Sequence, residues 1–332
     1  MKLLVGDIGG TKTILGLFST ENGPRVPLVE KIYHSAQYQT FEAIVQAFQA
    51  EIQQKADAAC FGVAGPIVDG RGKVTNLTWE VDGEKLQSQF GWHSVILLND
   101  LKAVAYAVPI LRAEDLHTLN AGQPVKNGSM AVIAPGTGLG ESYLTFDGHA
   151  YRAYPSEGSH VSFGPVGELQ IGLLRYLNGQ GFHHVSFERV CSGGLGIPHL
   201  YDYLKSTGVE EPDWLAEKLA AVDDPTPVIF DAAQDQARHC PLAVETVELF
   251  VSILGAEAGN LALKILSTGG VYLGGGISPR IIPELEKPAF LEAFRSKGRF
   301  RQLLTDMPVH VILNAKAGLL GAAAVGLKLS AA

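Results

Sequence analysis

Cysteine is scarce in this sequence. Cys60, Cys191 and Cys240 are the only three in 332 residues, far apart and odd in number. They match neither a disulfide framework nor a zinc spacing, and predict a reducing, cytoplasmic setting. Positive charge is short as well. Twenty-six Lys and Arg stand against 34 Asp and Glu, for a net charge of −8. That leaves no basic surplus for phosphate backbones and argues against a nucleic-acid binder. No run of 18 apolar residues occurs, so no membrane span is expected. The chain opens directly on a strand pattern containing Asp7, which predicts no secretory leader. The commoner site signatures are also missing. There is no G-x-x-x-x-G-K-[ST], and GTGLGE lacks the last glycine of a dinucleotide fingerprint. Neither H-E-x-x-H nor G-x-S-x-G is present. P-loop, Rossmann dehydrogenase, zincin and α/β-hydrolase readings are disfavoured accordingly.

Glycine is what the chain has in excess. Its 38 glycines are about 11% of the residues, against a usual ~7%. They cluster in GDIGG, APGTGLG and YLGGGIS, which points to tight loops between ordered elements. Leu3–Val5 and Ile14–Phe18 read as short strands, with Asp7, Gly9, Gly10, Thr11 and Thr13 between them. A strand at Lys31–His34 follows. The next helix is predicted with Thr40 as N-cap and Ala43, Ile44, Ala47 and Phe48 on one face. AACFGVAG, a helix near Gly83–Phe90, strand SVILLND and helix LKAVAYAVPIL complete an alternation that predicts an α/β domain with parallel neighbours in its sheet. From Ser129 the theme restarts as strand, Gly/Thr-rich turn, strand. A later helix carries Leu254, Ala258, Leu261, Ala262 and Ile265 on its apolar face. The closing AKAGLLGAAAVGLKL reads as a small-residue helix packed closely on a sheet.

Successive N–H groups of a glycine-rich turn make an anion-binding concavity, because no Cβ keeps an oxygen away. One such turn is equally well a hairpin. Two, DIGGT and GTGLG, strand-flanked and about 125 residues apart by the numbering, make the stronger signal for a phosphate. Asp7 is either a turn-forming residue or, beside a phosphate turn, a magnesium holder acting through water. Asn99-Asp100 end a strand and begin a helix, where one of them is an N-cap and where α/β sheets place ligands. Glu157, His160 and Glu188 each read singly as surface residues. Together with Asn76, Asn99 and Asp100 they form the dense donor and acceptor set that a polyhydroxylated ligand requires.

LVGDIGGTKTILGL, AGPI, TNLTW, LLNDLKAVAYAVP, APGTGLG, EGSHVSF, ERVCSGGL, GNLALKILSTGGVYLGGGISPR and the closing AGLLGAA resemble, in order, the bacterial ATP-dependent glucokinase family. That family belongs to the actin/hexokinase ATPase superfamily, and the likeness runs from residue 3 to about 325. It implies two α/β domains of the ribonuclease-H-like, actin-like ATPase type flanking a cleft. The small domain would span 1–110 plus 302–332, and the large one 111–301. It implies ATP and Mg²⁺ as cofactors, with Asp7, Gly9, Gly10 and Thr11 in one phosphate loop and Gly136, Thr137 and Gly138 in the other. Gly274, Gly275 and Gly276 would lie near the adenosine, and Asp7 would hold the metal through water. Asn99, Asp100, Glu157, His160 and Glu188 would contact glucose, Asp100 as catalytic base, with Gly65 and Asn76 bordering the sugar. A homodimer is implied too.

The chain departs from that pattern at Leu77, where the family usually has His, at Leu101 in place of Phe, and at Lys12 in place of a frequent Asn. The cysteine-rich zinc motif of the related ROK kinases is absent. The expected reaction is phosphorylation of D-glucose at its 6-hydroxyl, a glycolytic step. The rival readings are a kinase for mannose, fructose or glucosamine, and a sugar-sensing protein without turnover.

Overall fold

The computed structural model describes residues 1–75 and 77–329, and the chain divides into two units. The first holds Met1–Asp115, Ser142–Pro155 and the segment from Asn314 onward; the second holds Leu116–Glu141 and Ser156–Leu313.

In the first unit the apolar runs become strands β1 (Lys2–Ile8), β2 (Lys12–Ser19), β3 (Val29–His34) and β4 (Ala58–Val63). The short strands β5 (Ile67–Val68), β6 (Arg71–Lys73) and β7 (Glu80–Asp82) pair antiparallel in a small sheet of their own. Strand β8 (Val95–Asn99) returns to the main sheet, whose order is β3-β2-β1-β4-β8. The β1–β4 and β4–β8 pairs are parallel, as the alternation predicts, while β1–β2 and β2–β3 are antiparallel. Period-two alternation sends Leu4 and Ile8 to one face, against Phe41, Ile44 and Phe48 of the helix Phe41–Ile52. Leu3 and Val5 go to the other, against Leu319, Ala322 and Ala323. Thr40 caps the first of these helices, accepting from Ala43 N–H at 3.3 Å. The closing helix, Ala317–Leu329, is the small-residue element expected. A Cβ at Gly321 would stand 1.8 Å from Ala103 O, and one at Gly326 would stand 2.5 Å from Leu3. Its glycines therefore set how closely it seats on the sheet and on the helix Asp100–Ala107.

In the second unit β9 (Leu116–Asn120), β10 (Met130–Pro135), β13 (Gly270–Leu273) and β14 (Val309–Ile312) lie in the order β10-β13-β14-β9. Strands β11 (Leu139–Phe146) and β12 (Tyr151–Ser156) follow β10 in sequence. The helix Pro241–Ile265 is the spine of this unit, with Leu254, Ala258, Leu261 and Ala262 buried and Ile265 partly so. Residues 302–313, expected with the small domain, sit in the second unit. The reason is physical: β14 is held between β13 and β9, and Leu304 fills the same core. The segment 142–155, expected in the large domain, groups with the first unit.

Candidate functional site

In the first unit, the end of β1 brings Asp7 to the turn at Gly9–Thr11. The turn closes with Gly9 N–H donating to Lys12 O at 3.1 Å. Asp7 lies against the start of the closing helix, where a Cβ at Gly318 would stand 3.0 Å from its carboxylate. Burial, reinforced by the negative charge of Asp100, pushes the Asp7 carboxyl up to about 6, and the Lys12 ammonium tempers the rise. Lys12 thus has a place: it is exposed, yet its charge is felt at Asp7. At the end of β8, Asn99 caps the following helix through Lys102 N–H, 3.1 Å from its Oδ1. Its Nδ2 donates to Gly65 O at 3.2 Å and to Asp100 Oδ1 at 3.0 Å. Leu101 N–H donates to the same Asp100 oxygen at 2.8 Å. Burial raises the Asp100 carboxyl above its ordinary value, and these donors counter it. Gly65 has φ +151°, and a Cβ there would lie 2.3 Å from Lys73 O, so the turn beside Asn99 needs glycine.

The second unit gathers the other expected residues. Gly136 N–H donates to Gly138 O at 2.8 Å, closing the GTG turn. The turn's outward carbonyls are held from the ERVCSGGL segment: Gly193 N–H donates to Gly136 O at 2.7 Å and Gly194 N–H to Thr137 O at 2.9 Å. Gly274 N–H donates to Ile133 O, and Gly275, at φ +75°, would place a Cβ 2.3 Å from Pro135 O. Gly274 and Gly275 are therefore seated on the same strand end as the GTG turn. Glu188 leans on the turn, since a Cβ at Gly138 would meet its Oε1 at 2.6 Å. His160 Nδ1 stands 3.3 Å from Glu188 Oε2, and its Nε2 lies 3.7 Å from Glu157 Oε2. Backbone bonds from Phe163 to Val185 and from Phe187 to Val161 stitch the EGSH segment to the helical turn carrying Glu188.

A feature the sequence reading missed lies beneath these loops. Glu141, directly after GTGLG, is buried, and neither of its oxygens accepts from a described donor. Its Oε2 would stand 2.2 Å from a Cβ at Gly158, so the turn at Gly158 rests on this carboxyl. Glu257, fully buried on the long helix, faces it. Burial and the neighbouring Glu257 push the Glu141 carboxyl up to about 8. Glu257 is raised by burial too, tempered by Asn260 Nδ2 at 2.8 Å from its Oε2 and by Lys264 and Lys297. Nothing in the local sequence marks the pair, because 116 positions separate the two residues (257 − 141).

The structure thus assembles Asp7, Gly9, Gly10, Thr11, Gly65, Asn99 and Asp100 in one unit, and Gly136–Gly138, Gly274–Gly276, Glu157, His160 and Glu188 in the other. Asn76 lies outside the described residues.

Solved structures similar to this chain include glucokinases. A glucokinase from an Antarctic psychrotroph is 31% identical, with 98% of each chain covered and a TM-score of 0.82. A Balamuthia mandrillaris glucokinase in complex with glucose is 22% identical, covering 100% of this chain and 94% of that one, at a TM-score of 0.78. The architecture is that of the actin/hexokinase-type ATPases. In sequence, the Glucokinase family model matches residues 4–328. The glucokinases of Nostoc punctiforme and Synechocystis are 41% and 40% identical, each over 97% of both chains. The chain belongs to the glucokinase family.

Proposed function

We propose that this chain transfers the γ-phosphoryl group of ATP to the 6-hydroxyl of D-glucose, giving glucose 6-phosphate and ADP, with Asp100 as the base. Family membership supports the reaction, and one observation carries the role of Asp100. Asn99 Nδ2 and Leu101 N–H both bond its Oδ1, which orients the carboxylate and leaves Oδ2 to take the hydroxyl proton. Phosphoryl transfer asks mainly for positioning and charge neutralisation. Gly9, Gly10 and Thr11 cradle phosphate in one unit, and Gly136, Thr137 and Gly138 in the other, with Gly274–Gly276 toward the adenosine. Asn99, Glu157, His160 and Glu188 hydrogen-bond the sugar, and Gly65 and Asn76 border it. The two units serve as the small and large domains.

The residues present suit Mg²⁺, a hard cation usually held by one or two carboxylates together with substrate phosphates. Asp7 is the carboxylate at the phosphate turn, and among the described residues no group of three or more His, Cys, Asp or Glu forms a self-sufficient metal cage. Asp7 would hold the ion through water, where it would neutralise phosphate charge. The family resemblance implies a homodimer, and the sparse, unpaired cysteines suit a reducing cytoplasm.

The test is glucose-dependent ADP release in a coupled assay, run beside mannose, fructose and glucosamine. Glucose is expected to give the highest kcat/KM, since a site built for particular hydroxyls rejects sugars that leave its polar groups unpaired. Asp100→Asn should lower kcat by about three orders of magnitude or more while glucose still binds. Near-normal turnover by that variant would remove Asp100 from the role.

A further inference from the structure

The two phosphate turns are tethered in the same way but from different sources. At the GTG turn the outward carbonyls of Gly136 and Thr137 are held by the backbone N–H groups of Gly193 and Gly194. At the Gly9–Thr11 turn the corresponding work falls to one residue outside the motif, Ser35, just after β3. Its hydroxyl donates to Gly9 O at 2.7 Å, and its backbone N–H donates to Thr11 O at 3.0 Å. Ser35 is fully buried, and its Oγ lies 3.0 Å from the equally buried Thr13 Oγ1. One hydroxyl therefore joins the two limbs of the turn.

The direction of these bonds has a consequence for the other side of the loop. A trans peptide is planar, with its C=O and the following N–H pointing opposite ways. Drawing the Gly9 and Thr11 carbonyls toward Ser35 turns the N–H groups of Gly10 and Lys12 away from it. An anion-binding turn depends on such N–H directions, and glycine at position 10 leaves them free to swing unless something fixes them. We infer that Ser35 is a positioning residue for the nucleotide phosphates, acting through the Gly9 and Thr11 carbonyls to aim the Gly10 amide. This rests on the reading of Gly9–Thr11 as a phosphate loop. It adds a residue that neither the motif nor its spacing contains.

The experiment compares Ser35→Ala, Thr13→Val and the double variant with the wild type. Ser35→Ala loses the bond to Gly9 O and leaves Thr13 Oγ1 without its partner. KM for ATP should rise about five- to tenfold, the scale of one lost hydrogen bond, with KM for glucose within twofold. Thr13→Val keeps the Ser35 bond to Gly9 O and should keep the wild-type KM for ATP. The double variant removes the orphaned hydroxyl, so its melting temperature should recover relative to Ser35→Ala while KM for ATP stays raised. A KM for ATP that returns to normal with the melting temperature would show a merely structural role and overturn the inference. So would equal rises in both KM values, or no change in either. Ser35→Cys, of similar size and a weak donor, supplies the comparison if Ser35→Ala does not fold. Titration of wild type and Ser35→Ala with a fluorescent ATP analogue gives a readout independent of turnover. If the wild type binds ATP yet releases no ADP with glucose, the proposed activity fails while the inference about Ser35 is still decided.

Discussion

Replacing Glu141 by Gln isolates a single buried proton, and its effect follows from the position of that carboxyl. In the folded chain the Glu141 acid is held at about 8, against 4.5 ordinarily, by burial and by Glu257. A folded pKa raised above the unfolded one gives stability that is fully present below about 4.5. It is lost as pH rises through about 8, because the unfolded chain releases a proton that the folded chain retains. Between the two values the slope is one proton's worth, about 1.4 kcal/mol per pH unit. From pH 5.5 to 7.5 the wild type should therefore lose about 2.7 kcal/mol through this group. At a urea slope of roughly 3 kcal/mol per molar, that is a fall in midpoint of about 0.9 M. Gln keeps the shape, carries no proton to lose and donates its own N–H toward Glu257. Urea titrations of both proteins at pH 5.5, 6.5 and 7.5 should show the wild-type midpoint falling relative to that of Glu141→Gln, so that the two move apart by about 0.9 M as pH rises. Titrating groups away from the pair act on both proteins and drop out of the difference, which therefore reports the Glu141–Glu257 pair as a whole. Parallel midpoints across that range would mean that Glu141 is ionised in the fold, and the buried-proton reasoning would be refuted.

The other expected outcomes concern the nucleotide side. Asp7 is raised to about 6, so its ionised form grows as pH goes from 5 to 7 and KM for Mg·ATP should fall over that range; in Asp7→Asn the KM should be high and flat. The same shift gives stability that is present below 3.8 and lost as pH rises through about 6, so Asp7→Asn should be relatively more stable at pH 7 than at pH 4 in thermal melts. Gly275→Ala meets both a φ of +75° and a carbonyl 2.3 Å from the new Cβ, so a loss of about 1–3 kcal/mol by urea titration is expected, together with a raised KM for ATP.

The parts of this fold that were legible in sequence are those in which local pattern and tertiary role coincide. The strand–turn–strand units around Asp7 and Gly136, the Thr40 cap and the parallel β1–β4–β8 order all follow from periodicity, glycine and alternation. Asn99 shows why the junction reading had to stay double: it is the helix cap, and the same side chain bonds Gly65 and Asp100. Glu141 and Glu257 were illegible because each looks ordinary locally, one in a strand and one in a helix; only the fold puts them face to face. The boundary at residue 302 failed for a related reason. Strand β14 has the sequence of any short apolar strand, and its membership is decided by partners 38 residues away or more (310 − 272), at Tyr272 and Leu273 on one side and at Leu116 and His117 on the other.

Short glycine motifs of this kind carry only half of a phosphate loop. Glycine lets the backbone come close to an anion, but the freedom that permits the approach also permits wrong amide directions. In this chain the carbonyls of both proposed phosphate turns are held by hydrogen bonds, from Gly193 and Gly194 at the GTG turn and from Ser35 at the Gly9–Thr11 turn. Each tether sits on an element with its own reason to be rigid. Gly193 O accepts from the buried Thr226 hydroxyl at 2.6 Å, and Ser35 is locked against Thr13 inside the first core. The aim of the loop is therefore set by residues that a motif search passes over. Variants there should alter ATP affinity without touching a single glycine of the signature.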